Sequence, residues 1–197
     1  MLIGLTGGMG CGKSAALNFF SEFEYMTLDA DRICHMLYND NKSEFFRKIY
    51  ARWGDKILSP NNNICRDAVA KLVFSEKKEL EWLNSLLHPA VIKQALKIYN
   101  DSGKVNTIFD VPLLYEAGWE KFFDKIVAVW CSDGIRRERL LARGMTKEEI
   151  IRRDEKQISP EIKMERADYA LINNGTLNQL RKQCQIVTDK INNLNYK

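Results

Sequence analysis

The sequence has few features of secreted proteins, of proteins with a structural zinc site or of membrane proteins. Its five cysteines are scattered, odd in number and never spaced as a CxxC pair, which argues against structural zinc and for a reducing compartment. No stretch approaches the ~18 apolar residues that a membrane-spanning helix needs, and the sequence begins directly with an apolar, strand-like segment. We therefore expect a cytoplasmic protein without a membrane partner.

Charge of one sign is also scarce. The 197 residues carry a formal net charge of +4, and no block of five or more consecutive basic residues occurs. Such a small excess suits an anionic small molecule as well as a nucleic acid, so we expect no nucleic-acid partner. The length allows one substantial core and falls short of two full-sized domains. One domain with insertions is expected, as a monomer or a weak homo-oligomer.

Short apolar runs that alternate with helical patterns predict the fold. The runs cover residues 2–6, 25–28, 107–111, 125–131 and 169–172. Alternation of this kind predicts an α/β fold with a five-stranded, parallel sheet flanked by helices. Ligands of such sheets bind beyond the carboxyl ends of the strands, which is where the polar motifs of this sequence lie.

Two helical segments interrupt this alternation. Between the second and third strands, helical patterns recur at residues 44–53, 66–74, 78–87 and 90–99. A strand crossover needs only a dozen or more residues, so most of this stretch is surplus to the sheet and predicts a substrate-specific insertion. Residues 136–167 are helical, polar and arginine-rich, with helix starts at Thr146 and Ser159.

The last predicted helix opens with a capping box at Thr176. An apolar stripe then repeats at three- and four-residue spacing through Leu177, Leu180, Cys184, Val187, Ile191 and Leu194. We interpret this stripe as core rather than as a cofactor site.

Residues 7–14, GGMGCGKS, match the phosphate-binding pattern G-x-x-x-x-G-K-[ST] between an apolar strand and a helix. Glycines let backbone N–H groups approach phosphate oxygens, and the helix N-terminus favours an anion. We expect Lys13 to reach the β- and γ-phosphates of ATP and Ser14 to ligate Mg²⁺. The other ATP contacts are assigned to Gly8, Met9, Gly10, Cys11 and Gly12. A glycine-rich turn without a ligand is the alternative.

Carboxylates follow two of the predicted strands. Asp29 and Asp31 project the same way if their segment stays extended, and phosphoryl transfer to a hydroxyl needs an acceptor for its proton and a group to orient it. Asp110 ends another strand, as does the acid that holds Mg²⁺ in phosphate-loop enzymes. The alternative for Asp110 is a structural turn that leads into Pro112.

Arginine and histidine candidates complete the site. Arg139 and Arg143 are four residues apart, so on a helix they share one face and could clamp phosphates; a solvated helix face is the alternative. His88, which precedes Pro89, either contacts substrate or has a structural role.

Taken together, these motifs resemble the dephospho-coenzyme A kinase family over nearly the whole chain. The matching segments are LTGGMGCGKS at 5–14, DAD at 29–31, HP at 88–89, PLLYE at 112–116, RLLAR at 139–143, Gln157, ADY at 167–169 and NG at 174–175. The phosphate loop alone indicates only a superfamily, whereas the other motifs in this order are specific to the family.

The resemblance implies transfer of the ATP γ-phosphate to the ribose 3′-hydroxyl of dephospho-coenzyme A, on a sheet of strand order 2-3-1-4-5. It implies a nucleotide-binding core at residues 1–31, 105–135 and 168–197, a coenzyme-A-binding insertion at 32–104 and a lid at 136–167. By position, Asp31 is the expected base, Asp29 its partner, Arg139 and Arg143 the lid arginines, His88 and Leu113 substrate contacts, and Asn174 and Gly175 the loop near adenine.

The sequence departs from the family pattern at two positions. Cys11 stands where Ser or Ala is usual, and Asp154 stands where a small apolar residue is common. Cys11 is either an oxidant-sensitive thiol or a buried, inert one. Two other functions remain possible from the residues alone: another small-molecule or nucleoside monophosphate kinase, and a nucleotide-dependent switch. The paired acids and the large insertion favour an enzyme with an acceptor substrate.

Overall fold

A parallel sheet carries the phosphate loop. The computed structural model describes the backbone of residues 1–194 and all side chains in that range except that of Phe74. Within it, the sheet consists of Leu2–Gly7 (β1), Met26–Asp29 (β2), Thr107–Asp110 (β3), Lys125–Trp130 (β4) and Tyr169–Ile172 (β5). The order is β2-β3-β1-β4-β5, so the predicted fold class and strand order are confirmed.

The central strand is β1. It pairs in parallel with β3 on one side and with β4 on the other, with Leu5 opposite Asp110 and Gly7 opposite Val129. Every residue of β1 is buried, as expected for a parallel strand covered on both faces. The loop that follows β1 therefore lies between the carboxyl ends of β3 and β4.

Helices occupy most of the remaining described chain. Their bounds are Lys13–Glu22 (α1), Ala30–Asn39 (α2), Glu44–Trp53 (α3), Arg66–Ser75 (α4), Lys77–Asp101 (α5), Asp133–Ala142 (α6), Lys147–Asp154 (α7), Pro160–Arg166 (α8) and Leu177–Leu194 (α9), with short 3₁₀ turns at Gly54–Ile57 and Glu120–Phe122. In the described part of the chain, no helix is both long and apolar enough to cross a membrane.

The chain divides into two compact units. The first comprises Met1–Leu28 and the chain from Gly103 onward, and the second comprises Asp29–Ser102. Residues 136–167 belong to the first unit together with the sheet, and α8 packs directly on β1 and β4. The finer division into core, insertion and lid stays a prediction.

The second unit is helical and has its own core. Phe45, Ile49, Trp53 and Leu83 are among its buried residues. Glu79 joins α5 to α3, because its carboxylate accepts hydrogen bonds from Arg52 Nε and from Trp53 Nε1 at 2.6 and 2.7 Å.

The helical patterns predicted at 78–87 and 90–99 both lie in one helix, because α5 is continuous from Lys77 to Asp101 with Pro89 inside it. A proline costs an interior helix one backbone hydrogen bond and usually ends it. Here Leu83 and Val91, on either side of Pro89, are both buried. Packing on both sides offsets the lost bond.

The apolar stripe of α9 is core only in its middle. Leu180, Cys184, Val187 and Ile191 are buried, as predicted. In contrast, Leu177 is 63% exposed and Leu194 is 47% exposed. They are the first and last residues of the helix, and the buried cluster ends before it reaches them.

Candidate active site

The phosphate loop joins β1 directly to α1. Cys11 N–H donates to the Gly8 carbonyl at 3.2 Å and closes the turn, and Gly12 caps α1 in the left-handed conformation, with φ +100°. Because a glycine cap has no side-chain acceptor, the first amides of α1 stay available to an anion. The free backbone amides and the helix dipole together suit this loop to a phosphate anion.

Two glycines of the loop have no room for a side chain. A Cβ on Gly7, whose φ is +143°, would lie 2.2 Å from the Val129 carbonyl oxygen. One on Gly12 would lie 2.1 Å from Asn173 Nδ2. Sterics as well as conformation therefore demand glycine at both positions.

Lys13 and Ser14 open α1. The Lys13 ammonium donates to the carbonyl oxygens of Gly7 and Gly8 at 3.1 and 3.4 Å, so it lies over its own loop. Ser14 is exposed beside it. Met9, at the tip of the loop, has its Sδ 3.9 Å from Arg153 Nη1.

Asn173 supports the loop from the end of β5, and sequence reasoning missed it. Its Nδ2 donates to the Cys11 carbonyl at 2.8 Å, and its own backbone carbonyl accepts a hydrogen bond from Arg139 Nη2 at 3.1 Å. It is buried, at 3% exposure. A polar residue that directly follows a buried strand was the available signal, the same one that identified Asp29 and Asp110.

Cys11 lies inside the loop next to a second thiol. Cys11 and Cys131 are both buried in the core of the first unit, and Cys131 Sγ contacts the Gly10 carbonyl at 4.0 Å. The hydrogen bond from Cys131 lowers the pKa of Cys11 to about 7, against the opposing effect of burial. The same interaction raises the pKa of Cys131. Cys11 is thus the more acidic thiol of the pair.

Arg136 is the buried arginine of α6, and it was not among the predicted site residues. It donates to both carboxylate oxygens of Asp154, at 2.8 and 2.6 Å, and to Asp133 at 2.7 Å. The hydrogen bond to Asp154 is the main reason that its pKa is raised. Asp154, one of the two departures from the family pattern, therefore ties α7 to α6.

The two predicted lid arginines differ in their surroundings. Arg139 is half-buried, with its Nη1 buried and lacking a hydrogen-bond partner among the described residues. Arg143 is exposed and lies one residue beyond the end of α6. Arg143 is the C-cap residue of α6, and its backbone N–H still bonds to the Leu140 carbonyl in the last turn. That the two arginines clamp phosphates stays a prediction.

Asn174 and Gly175, predicted to approach adenine, follow Asn173. Asn174 Oδ1 accepts a hydrogen bond from the Ser132 N–H at 2.8 Å, which ties the β5 loop to the end of β4. Both residues line an open surface groove together with Ile172 and Gln179. The loop is thus anchored on the same edge of the sheet as the phosphate loop.

The end of β3 brings two further candidates to this edge. Asp110 is buried, at 9% exposure, opposite Leu5. Leu113 is 42% exposed, although Leu114 beside it is fully buried. No group of three or more His, Cys, Asp or Glu able to hold a metal occurs among the described residues. Magnesium in kinases needs fewer protein ligands, because substrate phosphates and water complete its shell.

Asp29 and Asp31 belong to the second unit, where the segment is not extended as expected. Asp29 caps α2, its Oδ1 accepting from the backbone N–H of Asp31 and Arg32 at 2.7 and 3.2 Å. Asp31 lies in the first turn of α2 and is exposed. The helix begins here because an aspartate is a strong N-cap. The two carboxylates therefore differ in environment: that of Asp29 is hydrogen-bonded to the backbone, and that of Asp31 is exposed to solvent.

His88, also in the second unit, lies within α5 and is half-buried. Burial lowers the pKa of this imidazole. Its substrate role stays a prediction.

Comparison with known proteins agrees with this site. The sequence profile of the family described as dephospho-CoA kinase matches residues 1–179. A dephospho-CoA kinase of Aquifex aeolicus is 34% identical over 190 residues, covering 96% of both chains. One of Fusobacterium nucleatum is 35% identical, covering 94% of this chain and 95% of the relative.

A solved structure has the same architecture. A crystal structure of a Thermus thermophilus protein superposes with a TM-score of 0.78 at 29% identity, covering 96% of this chain and 97% of the other. The phosphate loop, the strand order and the extent of the sequence match all agree, and the chain belongs to the dephospho-CoA kinase family.

Proposed function

We propose specific roles for the residues of this ATP-dependent dephospho-CoA kinase, beginning with the nucleotide. Residues 8–14 bind the triphosphate, and Lys13 neutralises charge on the β- and γ-phosphates as transfer proceeds. The support is the geometry of the loop: a glycine-capped helix start and an ammonium that already lies over loop carbonyls, 3.1 Å from that of Gly7.

Magnesium is proposed as the metal of the ATP complex. The donor set fits, since the Ser14 hydroxyl is exposed at the start of α1 and the Asp110 carboxylate ends β3 on the same sheet edge. Oxygen donors of this kind, completed by phosphate and water, are what Mg²⁺ prefers. When bound, the metal would offset negative charge on the phosphates.

Asn174 and Gly175 are proposed to contact adenine, and Arg139 and Arg143 to bind phosphate oxygens. Support for Arg139 comes from its buried Nη1, a donor without a hydrogen-bond partner among the described residues, since such a group gains from an acceptor. Arg143 is exposed, so it is available to a ligand. A lid role for residues 136–167 is part of this proposal.

For the acceptor, we assign the proton of the ribose 3′-hydroxyl to Asp31. Its carboxylate is exposed, whereas Asp29 Oδ1 is engaged by two backbone amides. A group that must take up a proton needs a carboxylate that can approach the hydroxyl. Residues 32–104, with His88, and Leu113 are proposed to bind the coenzyme A moiety.

The five cysteines are free, which supports a reducing, cytoplasmic compartment.

The test is a panel of acceptors with Mg-ATP: dephospho-CoA, adenosine, nucleoside monophosphates and shikimate. We expect turnover with dephospho-CoA alone and, by ³¹P NMR, a product phosphate at the ribose 3′ position. Phosphate at another position would refute the assigned acceptor atom. ATP hydrolysis without a phosphorylated acceptor would support the nucleotide switch instead.

A further inference from the structure

The mechanism leaves a fully buried lysine unexplained. Lys163, on α8, has 0% exposure, although lysine is among the residues least often buried. Its ammonium lies 2.7 Å from Glu116 Oε1 and donates to the Pro112 carbonyl at 2.8 Å. Burial lowers the pKa of Lys163, while the Glu116 carboxylate opposes that effect.

Both partners of Lys163 belong to one short segment. Residues 112–116 follow β3, and Pro112 and Glu116 are the two ends of this segment. Between them lies Leu113, which is exposed, whereas Leu114 and Tyr115 are buried. Lys163 therefore bonds to both ends of this segment.

Glu116 also bonds to the chain just before α8. Its Oε1 also accepts the N–H of Ile158 at 2.9 Å. Through this one oxygen, Glu116 links residues 112–116 both to the chain just before α8 and to the Lys163 ammonium on α8. We call this set, Lys163, Glu116, Pro112 and Ile158, the buried latch.

The latch also adjoins the phosphate loop. The Pro112 carbonyl accepts a second, longer hydrogen bond from Thr6 Oγ1 at 3.4 Å, next to Gly7. Pro160, two residues beyond Ile158, packs on Gly8: a Cβ built there would lie 2.6 Å from Pro160 Cγ. The latch therefore joins α8 and the segment after β3 at the base of the nucleotide site.

Stability alone is a weak reason for such an arrangement. Burying an ammonium and a carboxylate costs desolvation energy that their attraction often only balances, and apolar pairs of similar volume often do as well. What an ion pair with additional hydrogen bonds supplies is a fixed geometry. The element whose geometry is fixed here is the segment that carries Leu113.

We propose that Lys163 is a positioning residue for the acceptor: through Glu116 and the Pro112 carbonyl it holds residues 112–116 so that Leu113 meets dephospho-CoA in a productive pose. This inference rests on the acceptor role proposed above for Leu113. The phosphate loop needs the latch less, because it has separate supports in Asn173 and in the paired strand β1.

The test separates positioning from stability. Lys163→Met removes the charge and the donor but keeps the length of the side chain, and it leaves the partly buried Glu116 carboxylate without its ion-pair partner. The double variant Lys163→Met with Glu116→Gln removes that charge as well and keeps an oxygen for Ile158. We expect the melting temperature to fall in the single variant and to recover in the double variant.

The KM for dephospho-CoA should stay roughly tenfold or more above the parent value in both variants, because the Pro112 carbonyl lacks its shorter hydrogen bond, the one from Lys163, in both. The KM for ATP should change by less than about twofold. Lys125→Met is the matched control, since it removes another ion-paired lysine, at the start of β4, bonded to Asp168 at 2.8 Å. It should leave both constants unchanged.

If KM for dephospho-CoA recovers together with the melting temperature in the double variant, Lys163 is merely structural and the proposal is overturned. An equal rise in both KM values would overturn it too. Leu113→Ala is measured in parallel: a normal KM for dephospho-CoA in that variant would refute the assigned role of Leu113, whatever the lysine variants show.

Discussion

Oxidation of the thiol pair in the phosphate loop should inactivate the enzyme in a pH-dependent way. The hydrogen bond from Cys131 lowers the pKa of Cys11 from its usual 9.0 to about 7. At pH 7 about one half of Cys11 is then thiolate, compared with about 1% of an ordinary cysteine. The thiolate is the form that reacts with oxidants. That is a gain of about fiftyfold.

Part of this gain is lost, because a less basic thiolate is a weaker nucleophile. With a Brønsted coefficient of about 0.4–0.5, two pKa units cost roughly six- to tenfold in reactivity. The net expectation is that Cys11 reacts about five- to eightfold faster at pH 7 than an ordinary thiol with the same access. Because Cys11 has 0% exposure, a small oxidant is needed, and hydrogen peroxide is the reagent of choice.

The balanced reaction has two steps. The Cys11 thiolate attacks peroxide, forming a sulfenic acid and releasing hydroxide; the Cys131 thiol then condenses with it, forming a disulfide and water. The new bond replaces the hydrogen bond between the two thiols by a covalent link, so we expect it to shift Cys11 relative to Cys131, which directly follows β4. The loop amides move with it, and ATP binding should be lost.

The assay is residual kinase activity after timed peroxide exposure between pH 6 and pH 8, followed by dithiothreitol and by intact-protein mass spectrometry. The inactivation rate should rise with pH through about 7, because the thiolate forms as the proton leaves, and dithiothreitol should restore activity. Cys131→Ala should move this rise to higher pH and yield no disulfide. Equal inactivation rates in the parent and in Cys11→Ser would refute the reasoning.

Four further substitutions have defined outcomes. Lys13→Ala should lower kcat/KM by on the order of a hundredfold or more at unchanged melting temperature, because its charge acts mainly in the transition state. Asp31→Asn should lower kcat by roughly 10²- to 10⁴-fold with ATP affinity nearly unchanged, whereas Asp29→Asn, which can still cap α2, should change the Mg²⁺ dependence of kcat. Asp154→Ala should lower the free energy of unfolding by about 2 kcal/mol or more, measured in urea, because Arg136 is left buried without its bidentate partner.

Opposite results would identify the faulty step in each case. Near-normal turnover by folded Lys13→Ala protein would exclude the phosphate-loop assignment, and full turnover by Asp31→Asn would mean that another group receives the proton. Glu155→Ala is the control for Asp154, as an exposed neighbouring acid, and it should leave stability within about 0.5 kcal/mol of the parent value. A similar loss in both would exclude the Arg136 pair as the cause.

Local patterns in the sequence predicted the elements well. All five strands were located to within one residue at each end, because each is a short apolar run between turn signals. The caps at Thr146 and Ser159 hold as predicted, each side chain accepting from the backbone N–H three residues on. The strand order, in contrast, came from family resemblance, since no local pattern states which strands are neighbours.

Supports of the site were missed because they depend on partners far away in the chain. Asn173 and Cys11 are 162 residues apart, and Lys163 is 51 residues from Pro112. A lysine in a short polar helix carries no local sign that it is buried. The extended segment expected to reach Asp31 ends at Asp29 for another reason: Asp29, itself extended, caps α2, so Ala30 and Asp31 are already helical.

The glycines of the phosphate loop have an evolutionary consequence. At Gly12 the obstacle to a side chain is Asn173 Nδ2, the end of another side chain. A second mutation at Asn173 could remove the clash, leaving the cost of a positive φ and of the lost hydrogen bond to the Cys11 carbonyl. At Gly7 the obstacle is the backbone oxygen of Val129, which every amino acid at that position would supply. Loss of Gly12 is thus partly reversible by a suppressor mutation at Asn173, whereas no mutation at Val129 could compensate for loss of Gly7. Lineages that retain this fold should therefore vary at Gly12 sooner than at Gly7.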